Sequence, residues 1–68
     1  MNRYTVVAYR DEREWTLRVA SVPGAIARAV FLEDAERAIR ARLAHLTGED
    51  ADSFAIDLMP IPGPGGFD

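Results

Sequence analysis

The chain has 68 residues, 49% of them hydrophobic and 28% charged, which fits one small folded domain and excludes wholesale disorder. It has no cysteine, which excludes disulfides and cysteine-ligated zinc or iron–sulfur centres. Eight arginines oppose eleven acids for a net charge of −3, a poor balance for a general ligand of phosphate backbones, which needs an excess of Lys or Arg.

The segment Met1-Asn2-Arg3-Tyr4 leads directly into a strand pattern and lacks the apolar core of a secretion signal. No apolar run approaches 18 residues, so no membrane-spanning helix is expected and a cytoplasmic location is. Residues 3–9 are rich in Tyr, Val and Thr, side chains that fill a pleated surface, and predict a first strand. Val6 and Val7 are both apolar, so either can face a core. Residues 10–14 are all charged, and no Asn-Gly or Asp-Gly pair marks a tight turn. A hairpin with a longer loop is therefore expected. The second strand covers 15–19, with Trp15, Leu17 and Val19 on one side and Thr16 and Arg18 on the other.

Val22-Pro23-Gly24 has the chemistry of a type II turn: Pro presets φ, and Gly accepts the positive φ that follows. Residues 25–30 predict a third strand, although a helical reading of this alanine-rich stretch stays open. As a strand it separates Ile26, Arg28 and Val30 from Ala25, Ala27 and Ala29. Residues 32–46 give the strongest periodic signal. Leu32, Ala35, Ile39, Leu43 and Leu46 form one helical stripe. Acids lead and bases follow along this helix, as its dipole favours, with Glu33–Arg37 and Glu36–Arg40 spaced as ion pairs. Phe31 offers no side-chain cap, whereas Gly48 can close the helix in the left-handed region. A fourth strand is expected at 53–59, where Phe54, Ile56 and Leu58 alternate with Ala55, Asp57 and Met59. The Pro- and Gly-rich residues 60–68 read as a flexible tail.

The expected architecture is α+β, a single β-β-β-α-β domain over residues 1–59. A three-strand antiparallel meander carries one helix on one sheet face, and the fourth strand returns beside the first. One helix covers one face only. Val7, Tyr9, Ala27, Ala29 and Met59 are expected on the other, as a homodimer interface. The second half of the chain is the acidic half, with Glu49, Asp50, Asp52 and Asp57 as the expected surface for a basic partner.

Catalytic templates find little to work with. His45 is a single histidine without a partner motif, and Ser21 and Ser53 have no neighbouring base. Glu49, Asp50 and Asp52 lack the spacing of a calcium loop and read as a solvated turn. Gly63-Pro64-Gly65-Gly66 is followed by no lysine or helix, as a phosphate cradle requires. Tyr4 and Trp15 read as core residues rather than stacking platforms. Arg37, Arg40 and Arg42, interleaved with acids on the helix, read as a solvated face. No catalytic residue, metal site or cofactor is expected.

The run Tyr4-Thr5-Val6-Val7, then Trp15-Thr16-Leu17-Arg18-Val19, Val22-Pro23-Gly24 and Leu32-Glu33-Asp34-Ala35 resembles the N-terminal domain of HicB-type antitoxins of toxin–antitoxin systems. The resemblance covers residues 3–59. It departs from the family at Arg13-Glu14, where glycines are frequent, and at Phe31, where a capping Thr or Ser is common. It implies a partial ribonuclease-H-like fold without the nuclease's carboxylates. It also implies a non-catalytic protein that binds a small basic ribonuclease toxin, masks its catalytic histidine and often oligomerises. The DNA-binding domain that usually follows in the family is not expected within these 68 residues. The alternative is a stand-alone homo-oligomeric domain of the same fold with another protein-interaction role.

Overall fold

The computed structural model describes residues 2–61. Strand β1 spans Asn2–Asp11, β2 Glu14–Val19, β3 Ile26–Ala29 and β4 Phe54–Pro60, with helix α1, Leu32–Thr47, between the last two. They form one mixed sheet in the order β3-β2-β1-β4. β1 pairs antiparallel with β2 and parallel with β4, and β2 pairs antiparallel with β3. The α+β architecture expected from the periodicity is the one found.

The turns follow from local chemistry. Asp11 pairs with Glu14, which leaves only Glu12 and Arg13 to turn the chain. The expected longer loop is therefore replaced by a two-residue hairpin. Glu12 makes this turn with φ of 57°, a left-handed conformation usually left to Gly or Asn. Between β2 and β3, the Ala25 N–H donates to the Val22 carbonyl at 3.1 Å, and Gly24 has φ of 86°. This is the type II turn expected at Val22-Pro23-Gly24.

Helix α1 begins without a side-chain cap at Phe31 and ends at Gly48, whose φ is 80° and whose N–H donates to the Ala44 carbonyl at 2.9 Å. Arg37 pairs with Asp34 at 3.3 Å rather than with Glu33. Arg40 turns away from Glu36 and donates to the carbonyls of Ala51 at 2.8 Å and Phe54 at 3.0 Å. It ties the α1–β4 loop to the helix.

The core lies between α1 and one sheet face. Val6, Leu17, Ile39 and Leu43 are its largest fully buried side chains. Tyr4 and Trp15 pack against its edge, and the Tyr4 and Phe54 rings meet edge to face at 5.4 Å. Of the expected tail, Pro60 completes β4, and the Ile61 N–H donates to the Ala8 carbonyl at 2.8 Å. Residues 62–68 lie outside the described residues.

Candidate functional site

Side chains alternate across a pleated sheet, so the register decides which face each one joins. Ala8 opposes Leu17, and Leu17 opposes Ala27; Trp15 opposes Ala29. Ala27 and Ala29 therefore share the helix face with Leu17, and Ala27 belongs to the buried core. This corrects their expected place on the open face. The reason is steric: small side chains on β3 let α1 approach the backbone closely, and the larger Ile26 and Arg28 point the other way. Val7, Tyr9 and Met59 do lie on the open face, joined by Ile26. Met59 is 52% and Ile26 45% exposed.

The open face mixes apolar side chains with charge, and Arg18 sits between Val7 and Ile26. A shallow groove runs across it, lined by Val7, Tyr9, Arg18, Pro23, Ile26 and Ile61. Thr16 is buried among these side chains, and no buried side-chain polar atom among the described residues lacks a hydrogen-bond partner. Arg3 of β1 pairs with Asp57 of β4 at 3.2 Å on this face.

That ion pair separates Asp57 from the acidic surface expected of it. Glu49 is also otherwise engaged, since its carboxylate accepts from the Tyr4 hydroxyl at 3.1 Å and from the Asn2 side-chain amide. Burial and the Glu49 carboxylate raise the Tyr4 pKa above its ordinary value. Asp50 and Asp52 are exposed in the α1–β4 loop, where the Asp50 carbonyl accepts from the Ser53 N–H and hydroxyl. The four expected acids do not form one patch. Among the described residues, no three His, Cys, Asp or Glu side chains converge as metal ligands would. His45 is exposed in the last turn of α1.

Negative charge concentrates instead at the hairpin end of the molecule. β3 finishes there and α1 starts. Asp11, Glu12, Arg13 and Glu14 border a recess with Val30, while Glu33 and Asp34, the latter paired with Arg37, occupy the first helical turn. Val30 is 55% and Phe31 65% exposed. An aromatic side chain so open, at the position that normally holds a polar cap, adds nothing to the core of this chain. The sequence marks Phe31 as an uncapped start, but only the topology brings its neighbour Val30 beside the hairpin acids. Arg40 was missed in the same way: its half-buried role, with its guanidinium 5.6 Å from the Phe54 ring centroid, needs the return of β4.

No helix among the described residues is long and apolar enough to cross a membrane. No family model, curated protein or solved structure matches the chain.

Proposed function

We propose that the chain is a non-catalytic, antitoxin-like binding module that resembles HicB antitoxins and neutralises a small basic ribonuclease toxin by protein–protein contact. The observation that carries this reading is the hairpin end, where exposed Val30 lines a recess with Asp11, Glu12, Arg13 and Glu14, and exposed Phe31 follows it directly before Glu33 and Asp34 of the helix. Exposed apolar side chains beside a rim that is mostly acidic, with Arg13 as its one base, suit a partner with an apolar pocket and a basic border. The acids accelerate encounter with such a partner, and the buried aromatic slows its release. The β-β-β-α-β order is also the one that the resemblance implies. On this reading the protein works in the cytoplasm as a homodimer, and contact with the toxin covers the toxin's catalytic histidine.

The test is co-expression with any small basic protein encoded beside this chain. Growth arrest by that protein alone, relieved by the chain and restored by Phe31→Asp, is the expected result. A neighbour that forms no complex with the chain, or a Phe31→Asp variant that neutralises as well as the parent, refutes the reading. The open sheet face favours a second reading, in which self-association is the main role. A gene with no small basic neighbour points to that one.

A further inference from the structure

We propose that the free edge of β3 is a docking site for an extended partner segment, which joins the sheet as a further strand. The sheet ends at β3 on one side and at β4 on the other. The β4 edge is guarded. Ile61 donates to β1, so alternation turns the backbone groups of Phe54, Ile56, Leu58 and Pro60 outward. Arg40 already occupies the Phe54 carbonyl, and Pro60 has no N–H to give.

The β3 edge has no such guard. The Ala25 carbonyl accepts from the Val19 N–H at 3.0 Å, and Ala27 and Ala29 oppose Leu17 and Trp15 in the same phase. Alternation therefore turns the Ile26 carbonyl, the Arg28 N–H and carbonyl and the Val30 N–H away from the sheet. Among the described residues, no hydrogen bond reaches these groups. Their surroundings are apolar, with Ile26, Val30 and Phe31 exposed along the edge. Helix α1 packs over β2 and β3. Its Ala38, Arg42 and Leu46 fall on one stripe, and Arg42 and Leu46 meet Gly24 at the start of this edge. An unpaired, apolar edge is what strand addition uses: backbone bonds give affinity, and alternate side chains give specificity.

The neighbours define the occupant. On the open-face side, the added side chains lie beside Ile26, Arg28 and Val30. Arg28 makes no ion pair among the described residues, so a carboxylate beside it, flanked by apolar side chains, is the complement. On the helix side, Ala27 and Ala29 are small and leave room for a large apolar side chain next to the α1 stripe. β3 is four residues long, so the paired stretch is short. Strand addition here is independent of toxin neutralisation, which is measured separately.

Random peptides displayed on phage, selected against the immobilised full chain and then synthesised, test the assignment. Enriched peptides are expected to share an Asp or Glu between apolar residues. N-methylation of alternate residues in one register should weaken binding roughly tenfold or more, and in the other register should not. Amide resonances of Arg28 and Val30 should shift on binding and exchange more slowly with solvent. Arg28→Pro removes an outward N–H and should abolish binding with an unchanged far-UV circular dichroism spectrum, whereas Arg28→Ala should only weaken it. If Arg28→Pro unfolds the chain, the N-methylated peptides decide. No enriched peptide, binding indifferent to both registers, or shifts confined to Val7, Tyr9 and Met59 overturns the proposal. A parent dimer that Arg28→Pro converts to monomer gives the edge to a second copy and overturns it too.

Discussion

Phe31 stands where Ser, Thr or Asp ordinarily accepts a hydrogen bond from an early helical N–H, and no side chain does so here. Phe31→Ser should therefore raise stability by about 1 kcal/mol in chemical denaturation. On the proposed reading, the same variant should neutralise a basic partner less well, because the anchor is gone. A cap that stabilises and leaves neutralisation intact would remove Phe31 from the contact. Glu12 carries a second local cost, its left-handed φ. Asn accepts that conformation more readily, and Glu12→Asn should add a few tenths to about 1 kcal/mol, measured as a shift in denaturation midpoint. Tyr4 links stability to pH. Burial, and then the Glu49 carboxylate, raise its pKa in the folded chain. Its contribution is therefore complete below the unfolded value of about 10 and declines as pH rises through the higher folded value. Tyr4→Phe should flatten this alkaline loss, as followed by thermal melts from pH 8 to pH 11. The uncapped Phe31 is legible in the sequence. The Tyr4–Glu49 contact is not, because it joins residues at nearly opposite ends of the described chain.

At the scale of elements, α1 and β2 share the deepest packing. Leu17 and Ile39 are fully buried. Leu17→Ala and Ile39→Ala should each cost about 2–5 kcal/mol, enough to unfold a large fraction of a domain this small. Melting temperatures unchanged from the parent would misplace the core. Ala27 tests the corrected face of β3. It lies under α1, so Ala27→Leu should force the helix away and cost about 1–3 kcal/mol. On an open face the same change would be nearly neutral. The five elements were legible because their signals are local: alternation at Phe54, Ile56 and Leu58, and three- and four-residue steps from Leu32 to Leu46. The face of β3 was not. Alternation separates Ile26 from Ala27 but does not say which one the helix requires. Size suggests that Ile26 is inside, and the close approach of α1 reverses the choice. The hairpin length was missed for a related reason, since no favoured turn residue announces Glu12-Arg13.

For the whole molecule, strand order and the parallel return of β4 followed from counting connections, since a helix between strands carries the chain back across the sheet. The interaction surfaces were less legible. Val7, Tyr9 and Met59 could be placed by alternation, whereas the acidic end gathers Asp11, Glu14, Val30 and Glu33 from three elements. The central place of β1 has a consequence for biosynthesis. β1 leaves the ribosome well before the strand that completes it, β4, Asn2 lying beside Phe54 and Ala8 beside Pro60. Such distant pairing slows folding relative to local structure. Until β4 arrives, one side of β1 is an unfilled slot, and the β4 of another nascent chain fits it in the same register. Strand exchange between neighbouring molecules is thus the misassembly built into this topology, and it becomes more frequent as synthesis crowds the chains together.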